Sequence, residues 1–464
     1  MVRRILAVAL WMIAAHCVAA EKPRLIVLTD VSNEPDDEES LVRLLVYSNE
    51  YDLEGLIATT STWLRTNPQP DLIRRDIKAY GQVRDNLLKH AAGFPSAEQL
   101  LASTKTGQQG YGMAVVGEGR STEGSRHIID IVDRADSRPV WVAVWGGSNT
   151  LAQALWDVKS ARSADETERF VSKLRVYAIA DQDDSGPWLR EAFPGLFYIV
   201  SPSTQNEKEY YRGTWNGISG DRRYGTGPMH MFELVDNPWL EQNVICNHGP
   251  LGALYPRLAY IMEGDTPSFL GLVDNGLGWT ISPAYGGWGG RYALYRSHGE
   301  TRPIWTNNED SRDTVVIEGA GTFTSEQATI WRWREHFQHD FAARMDWCIA
   351  EMYGKANHNP VAVLNGDASK DVLETTAKPG ATVTLSCAGS KDPDGNNLER
   401  TWFVYPEAGS YRGAVKLSSQ SGETTSLVAP PVGKPETIHV ILQLRDDGVP
   451  PLYSYRRAVV KIGV

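Results

Sequence analysis

An apolar strand that runs into an acidic loop and then into a helix is the feature that most restricts how this chain folds. The run Leu25–Leu28 has the length and branching of a buried strand. Pro35 suits the first turn of a helix, and the apolar residues of Leu41–Val46 recur at the spacing of one helix face. In an open α/β sheet, the loop after such a strand lies at the carboxyl edge, where ligands bind. The sequence therefore predicts an α/β unit with a candidate site in this loop.

The loop and the first helical turn are rich in acidic and amide side chains: Asp30, Asn33, Glu34, Asp36, Asp37, Glu38 and Glu39. The positive end of the helix dipole stabilises acids in the first turn, but Asp30 precedes that turn. Carboxylates that converge on one point repel one another unless a cation lies between them. A hard divalent cation such as Ca²⁺, which takes oxygen ligands, suits this composition. A solvated helix cap without a metal is the alternative.

Strand-like and helix-like runs alternate from Lys22 to about Tyr353. The expected strands are Leu25–Leu28, Leu53–Thr59, Val140–Val144, Leu174–Ala180 and Phe197–Val200. The expected helices are Leu41–Tyr47, Asp71–Leu88, Thr150–Val158 and Glu326–Met345. This alternation is typical of a mostly parallel sheet with helices on both faces. Residues 215–314 are rich in Gly, Trp, Tyr and Pro and predict long loops.

The pattern changes near Asn357, after which short alternating runs are separated by turns. The runs are Ala381–Ser386, Glu399–Val404, Thr437–Leu444 and Arg456–Ile462. They predict an all-β, Ig-like sandwich. The expected domains are therefore an α/β domain at 21–356 and a sandwich at 357–464. Acids in the turn Asp392–Asn396 resemble those of cadherin-like modules, where they bind Ca²⁺ or only shape the turn.

The first twenty residues predict a signal peptide and hence a secreted or periplasmic protein. Arg3 and Arg4 precede an apolar run, and Val18–Ala20 supplies the small residues that cleavage requires. No later apolar run is long enough to cross a membrane. The chain has 46 basic and 57 acidic residues, a net charge of −11, which disfavours nucleic acid and anionic membranes as partners. The sequence leaves a homo-oligomer open.

Three later segments place polar residues after strands of the same sheet. Trp145–Thr150 follows Val140–Val144, and a second acidic cluster, Asp181–Asp184, follows Leu174–Ala180. Glu263 and Asp265 open a further helical run. Each segment alone is compatible with a turn or a helix cap. Their recurrence at successive strand ends favours one shared pocket.

The order of these pieces resembles the nucleoside hydrolase fold, in which an Asp-rich loop after the first strand holds Ca²⁺. The motif LTDVSNEPDD is similar to that loop, GGSNTLAQAL to a later turn, and EGDTPSFL to a late Asp segment. The resemblance implies Asp30, Asp37 and Asp265 as carboxylate ligands of Ca²⁺, with the carbonyl of Asn149 completing the shell.

The motifs NHGPLGALYP, GGWGGRY and ARMDWC extend the resemblance to one group over essentially the whole mature chain. This group comprises secreted bacterial proteins that pair a nucleoside-hydrolase-like domain with an Ig- or cadherin-like C-terminal sandwich, some of them labelled cellulose-binding. Two departures from nucleoside hydrolases matter. Five residues separate Asp30 from Asp36 where that family has three, and Gly264 occupies the place of its proton-donating His.

The expected function is hydrolysis of a glycosidic bond in a plant or algal polysaccharide or an oligosaccharide. By resemblance, Asp30 is the base for a metal-bound water; Asp183 is the preferred acid among Asp183, Asp184 and Glu34. Carbohydrate capture without turnover is the first alternative, since capture needs the same kind of cleft. An N-ribosyl (nucleoside) hydrolase with a relocated acid is the second.

Tryptophans beside Gly, Pro, Asn or Thr in predicted loops indicate sugar stacking, because indole faces pack against pyranose rings. The loop tryptophans are Trp63, Trp188, Trp215, Trp279 and Trp288. Together with the polar candidates, the predicted substrate contacts are Asn33, Glu34, Trp63, Asp184, Trp188, Trp288 and Arg291. Burial of these tryptophans in a large core is the alternative.

The C-terminal helix of the first domain carries an aromatic stripe: Trp333, Phe337, Phe341 and Met345. This four-residue spacing predicts packing rather than a cofactor site. His336, His339 and Asp340 on the same helix lack the i, i+4 histidine spacing of a zinc site and a third ligand.

Overall fold

The computed structural model describes residues 21–32, 34–201, 213–297 and 299–463, and the side chains of residues 214–216 are not described. The predicted signal peptide, Asn33 and the side chain of Trp215 therefore lie outside the described part of the chain. Within that part, no helix has the length and apolar character needed to cross a membrane.

An eight-stranded sheet forms the centre of the first domain, with the strand order β3-β2-β1-β4-β5-β6-β8-β7. Its strands are β1 Arg24–Thr29, β2 Asp52–Ala58, β3 Thr104–Thr106, β4 Val140–Val144, β5 Leu174–Ala178, β6 Phe197–Ile199, β7 Ala293–Tyr295 and β8 Ile304–Thr306. All neighbours pair in parallel except β7 and β8, which are antiparallel. The predicted, mostly parallel α/β fold is confirmed.

Helices cover both faces of this sheet. They are α1 Pro35–Val46, α2 Pro70–His90, α3 Ala97–Ser103, α4 Glu123–Asp133, α5 Asn149–Ala161, α6 Ala164–Ser172, α7 Ser185–Ala192, α8 Gly220–Tyr224, α9 Asn237–Leu240, α10 Gly249–Gly252, α11 Pro267–Leu270, α12 Ala328–Trp331 and α13 Arg334–Trp347. Alternate residues of β1 enter different cores: Leu25 and Val27 face one cluster, whereas Ile26 and Leu28 face the other. Burial on both faces explains why β1 and β4 read as continuous apolar runs.

The predicted helix Glu326–Met345 is in fact two helices, α12 and α13. The break falls at Arg332 and Trp333, where the backbone of Trp333 leaves the helical region (φ −104°, ψ 3°). This break directs Arg332 to Asp313, with an Nη1–Oδ2 distance of 2.8 Å. Trp333 is buried against aromatic rings of the second domain.

The C-terminal region contains the strand-rich sandwich that the sequence predicts. A four-stranded sheet has the order β11-β16-β15-β13, and β12 pairs with β14 in a second sheet. The strands are β11 Leu373–Ala377, β12 Thr382–Ser386, β13 Leu398–Val404, β14 Thr424–Val428, β15 Glu436–Asp446 and β16 Tyr453–Ile462. A separate hairpin, β9 Asp313–Ile317 and β10 Gly321–Ser325, precedes α12.

The sandwich packs against α13 and against the loop 275–292, and this contact is called the domain interface below. Arg457 donates to the carbonyl oxygens of Leu277 (2.6 Å) and Tyr285 (2.9 Å). The backbone N–H of Tyr455 donates to the carbonyl of Asn275 (3.1 Å). The four stripe residues of α13 are buried, which confirms their predicted packing role. The domain boundary at 356/357 stays a prediction.

Candidate functional site at the carboxyl edge of the sheet

Four buried aspartates meet at the carboxyl edge of the sheet and form what is called the carboxylate pocket: Asp30, Asp36, Asp37 and Asp265. Asp30 follows β1, and Asp36 and Asp37 lie in the first turn of α1. Asp265 comes from the loop before α11. The fold therefore brings Asp265 to three aspartates that lie more than 200 residues earlier in the sequence.

The turn after β4 leaves space for these carboxylates because it contains two adjacent glycines. A Cβ on Gly146 would lie 2.4 Å from Asp30 Oδ1, and one on Gly147 would lie 2.4 Å from Asp183 Oδ2. Neither oxygen has a hydrogen-bond partner among the described residues. Asp30 and Asp183 therefore approach the same glycine turn with one uncommitted oxygen each.

Burial and mutual repulsion raise the pKa of every carboxylate in the pocket. Burial raises the pKa of Asp30 to about 6, although a hydrogen bond from Ser61 opposes the shift. Burial, with repulsion from Glu34 and Asp30, raises the pKa of Asp36 to about 7. Without a cation, Asp30 and Asp36 are therefore much weaker acids than ordinary aspartates.

Burial and repulsion from neighbouring carboxylates also raise the pKa values of Asp37 and Asp265. The pKa of Asp37 is raised well above its ordinary value by burial and then by Asp30 and Asp36. The pKa of Asp265 is raised well above its ordinary value by burial and then chiefly by Asp37. These reciprocal effects show that the four acids act on one another as one electrostatic unit.

Asp265 is held by a buried network around its neighbour Glu263. Glu263 adopts a left-handed backbone (φ 51°), and its side chain accepts from Arg43 Nη2 (2.9 Å) and from the hydroxyl of Tyr255 (2.7 Å). Its backbone N–H donates to Glu39 Oε2 (2.8 Å). This network fixes the loop to α1, so Asp265 and Asp37 are positioned by a common support.

Asn149, at the start of α5, presents a further oxygen near the glycine turn. Its Nδ2 donates to Thr60 Oγ1 (3.0 Å) and to the carbonyl of Gly110 (2.8 Å). This arrangement leaves Asn149 Oδ1 buried without a partner among the described residues. Asp265 Oδ2 is also buried and also has no hydrogen-bond partner among the described residues.

These oxygen donors have the chemistry that a hard cation such as Ca²⁺ requires, and the charges that most affect Asp265 are those of other carboxylates. In the described chain, however, no three Asp, Glu, His or Cys side chains are arranged as a ready-made metal site. The chemical type of these ligands suits such a cation. Their side chains, however, do not surround a single point in the described structure. The metal-ligand set Asp30, Asp37, Asn149 and Asp265 therefore stays a prediction.

Asp183 is buried and has one oxygen in use. Its Oδ1 accepts from the backbone N–H of Ser185 (2.9 Å) and from the Ser185 hydroxyl, while its Oδ2 has no described partner. Burial raises its pKa, and the Ser185 bonds oppose that shift. A buried carboxyl group of raised pKa beside a glycine turn has the properties of a proton donor.

Asp184 has a different environment from Asp183. Its Oδ1 accepts from the backbone N–H of Met113 (2.7 Å), and Gly112, at φ 61°, leaves room for that oxygen. Asp184 thus fixes the loop that follows β3. A Cβ on Gly112 would lie 2.2 Å from Asp184 Oδ1. Glycine is therefore required here both for the positive φ angle and for the close approach of this oxygen.

Glu34 lies beside the aspartates of the pocket, and Trp63 follows Ser61 by two residues. The Trp63 side chain is 57% exposed, and its backbone N–H donates to Ser61, the residue that also hydrogen-bonds Asp30. Glu34 is half-buried; burial raises its pKa, and Arg223 opposes that rise. Trp63 is therefore exposed enough to contact a ligand, and its predicted role as a substrate contact stays a prediction.

Burial of Trp288 and Arg291 contradicts their predicted role as substrate contacts. Trp288 is 2% exposed and makes edge contacts with Phe337 and Tyr455. Arg291 is equally buried and pairs with Asp313 at 2.7 Å. Both residues stabilise the interior and are removed from the candidate substrate contacts.

Trp279 and Trp188 are also committed to packing. Trp279 is buried, and its ring stacks on that of Tyr177. Trp188 is half-buried and makes an edge contact with Phe193. These contacts favour the core alternative for Trp279 and leave Trp188 with only part of its surface for a ligand.

Three positioning residues of the site were not found from the sequence. Ser61 bonds Asp30, the Thr29 hydroxyl donates to Asp37, and Arg43 supports the Asp265 loop through Glu263. The Thr-Asp pair at the end of β1 is a recognisable signal for Thr29. Nothing local to Arg43 indicates a partner 220 residues away.

Two segments of the chain match described protein families. Residues 24–292 match the family described as cellulose-binding Sde182, nucleoside hydrolase-like domain, and residues 382–462 match the C-terminal domain of cellulose-binding protein Sde0182. Among curated proteins, none matches the chain.

One solved structure is similar over nearly the whole chain. It is described as a nucleoside hydrolase-related hypothetical protein from Saccharophagus degradans that is associated with carbohydrate metabolism. The two chains are 39% identical, the match covers 95% of this chain and 100% of that chain, and the TM-score is 0.82. The type III effector XopQ complexed with adenosine diphosphate ribose is 12% identical, with 71% and 95% of the two chains covered and a TM-score of 0.28, too low to support an argument. The chain belongs to the Sde182 family, in which a nucleoside hydrolase-like domain precedes the Sde0182 C-terminal domain.

Proposed function

We propose that the protein binds a polysaccharide or oligosaccharide at the carboxylate pocket and hydrolyses a glycosidic bond there. The observation that carries this proposal is the glycine turn after β4, which Asp30 and Asp183 both approach with an uncommitted buried oxygen. Hydrolysis of a glycosidic bond needs one carboxylate for the attacking water and one carboxylic acid for the leaving oxygen.

Asp30 and Asp183 divide these roles according to their surroundings. Asp30 lies among other acids of the pocket, where a bound cation would favour its ionised form, so it is assigned as the base. Asp183 is buried against Ser185, and burial raises its pKa, which favours the protonated form that a leaving group needs. Ser61 and Ser185 orient the two carboxyl groups by hydrogen bonds.

Asp30, Asp37, Asp265 and the Asn149 carbonyl would hold a divalent cation such as Ca²⁺. When bound, that cation would neutralise the pocket and activate water or polarise an oxygen of the substrate. The buried oxygens without partners on Asp30 and Asp265 support this assignment. Nucleoside hydrolysis is not proposed, because Gly264 supplies no proton donor beside Asp265.

A plant or algal polysaccharide is the proposed substrate class. The family description names cellulose binding, and the S. degradans relative is associated with carbohydrate metabolism. The exposed indole of Trp63 offers a sugar-stacking surface. Export through the predicted signal peptide would bring the protein to such a polymer outside the cytoplasm.

The test is reducing-sugar release from cellulose and a panel of plant and algal polysaccharides, with Ca²⁺ and then with a chelator. Release that falls with chelator and by at least about a hundredfold in Asp30→Asn supports a metal-dependent hydrolase. Asp165→Asn, which changes an exposed carboxylate on α6, is the matched control. Wild-type rates from Asp30→Asn would contradict the role of Asp30.

Capture of cellulose without turnover is a second candidate. Two observations favour it: the family description, and the absence in the described chain of three acidic, His or Cys side chains arranged as a metal site. Sedimentation with insoluble cellulose measures capture directly. Retention on cellulose without release from any polymer, at any Ca²⁺ concentration, would select capture and exclude the hydrolase.

A further inference from the structure

A second cleft lies at the opposite, amino-terminal edge of the sheet, beside β5, β6, β7 and β8. Its volume is about 360 Å³, and the residues that matter here are Arg175, Phe197, Leu294, Arg302 and Trp305. This set is called the arginine cleft. Arg175 and Phe197 are paired neighbours at the start of β5 and β6, whereas the carboxylate pocket lies beyond the ends of β1 and β4.

Both arginines of this cleft lack a carboxylate partner among the described residues. Arg175 donates to the carbonyls of Ser172 (3.0 Å) and Leu174 (2.9 Å), and no described acid lies within ion-pair distance of it. Arg302 Nη2 donates to the Leu196 carbonyl (2.6 Å), while its Nε is buried without a partner. By contrast, the buried Arg190 pairs with Asp181 at 2.7 Å.

The floor of the cleft is aromatic and apolar. The rings of Phe197 and Trp305 are half-buried, with centroids 6.3 Å apart, and the Arg175 guanidinium lies 5.2 Å above the Phe197 ring. Leu294, on the edge strand β7, is 58% exposed at the rim. The cleft thus combines two aromatic rings, tilted by 38° to each other, with two planar guanidinium groups.

We propose that the arginine cleft binds a sugar residue that carries a carboxylate, that is, a uronate unit of an acidic glycan. A guanidinium group pairs with a carboxylate through two parallel hydrogen bonds, and an aromatic surface packs against the apolar face of a pyranose. A neutral sugar would leave both cations unpaired. The choice of a sugar among organic acids rests on the carbohydrate function proposed above.

Calorimetric titration of the full-length protein with digalacturonate, cellobiose and sodium sulfate tests this assignment. Wild-type protein is expected to bind digalacturonate, and Arg302→Met is expected to bind it at least about tenfold more weakly. Leu294→Glu adds a negative charge at the exposed rim without disturbing the core, and the same direction is expected. Arg296→Met, which removes an exposed arginine outside the cleft, is the matched control and should bind as wild type.

Three outcomes would overturn the proposal: no digalacturonate binding by wild type, wild-type affinity in both cleft variants, or sulfate binding as tight as digalacturonate. The last result would identify a simple anion site without sugar recognition. Cellobiose binding that falls equally in the cleft variants would also overturn it, because the acid would then be irrelevant. Reducing-sugar release and its response to chelator report on the carboxylate pocket alone, so failure of one proposal is distinguishable from failure of the other.

Discussion

Buried charge occurs in both the carboxylate pocket and the domain interface, but the interface aspartate Asp313 is paired with arginines, whereas the pocket aspartates repel one another. At the interface, Asp313 contacts Arg291 Nε (2.7 Å), Arg332 Nη1 (2.8 Å) and the Tyr405 hydroxyl (2.5 Å). In the pocket, the aspartates raise one another's pKa, and several of their oxygens have no described partner. The paired region provides stability, whereas the unpaired region retains electrostatic energy that a ligand can relieve.

The largest expected effect is loss of the charge at Asp313. Burial alone would raise the pKa of this carboxyl group, but Arg332 and Arg291 hold it below its ordinary value. Asp313→Asn leaves two buried guanidinium groups without their counter-charge, so the free energy of unfolding should fall by about 3–5 kcal/mol. Urea denaturation measures this change. Asp310→Asn, at an exposed neighbour, is the control, and an equal loss there would remove the contrast.

Acid should weaken the interface through two buried histidines. Burial, assisted by His339, Arg332 and Arg445, lowers the pKa of His336 to about 3, and burial with Arg457 lowers that of His439 to about 3. Both groups are neutral when folded, so their stability contribution is complete above pH 6.5 and is lost as pH falls toward 3. One pH unit below 6.5, the two together should cost about 3 kcal/mol.

The measurement is the free energy of unfolding at pH 7.5 and pH 5.5 for wild type and His336→Gln. The variant should lose about 1.4 kcal/mol less than wild type across this interval. His230→Gln, an exposed site, should lose as much as wild type. The pocket acts with the opposite sign: the pKa of Asp30 is raised, so its contribution is present below about pH 4 and is lost as pH rises through 6.

Asp30→Asn is expected to stabilise the protein, whereas Asp313→Asn is expected to destabilise it. The pair of variants therefore tests the contrast between the carboxylate pocket and the domain interface. Replacing a buried carboxylate that has an unpartnered oxygen and acidic neighbours should stabilise the metal-free protein at pH 7.5, by up to about 2 kcal/mol. The same urea titration, run in chelator, measures it. Destabilisation of several kcal/mol would show that Asp30 is a structural residue like Asp313.

The smallest effect on stability is expected at Trp63. Because its ring is exposed, Trp63→Ala should change the unfolding free energy by no more than about 0.5 kcal/mol while weakening retention on cellulose several-fold. Trp288→Ala, at the interface, should cost about 3–5 kcal/mol. Undiminished retention of Trp63→Ala on cellulose would remove Trp63 from the binding surface.

The strands of the main sheet were predictable because their signals are local. Val140–Val144 was predicted with its observed bounds, and Leu25–Leu28 falls within β1. The short strands β3, β7 and β8 were missed, because they lack the apolar run that identified the equally short β6. The small β9–β10 hairpin was also missed among the loops.

The acidic residues of the site could be predicted from the sequence. The residues that position them, and the burial of the tryptophans, could be predicted only in part. Asp30, Asp37 and Asp265 follow strand and helix signals that the sequence displays. Burial of Trp288 depends in part on Tyr455 of the sandwich, 167 residues further along the chain, and flanking glycines cannot indicate it. Local sequence thus places side chains at an edge of the sheet but does not show what later covers them.

The domain interface limits where the protein can be truncated or fused to another domain. Trp288 and Trp333 are buried against rings of the sandwich, including Tyr455. A version ending before the sandwich would expose these indoles to water and strip Arg332 of its contact with Tyr405. Gene truncation or domain shuffling near residue 357 should therefore yield insoluble fragments, so the two halves are expected to be inherited and engineered as one module.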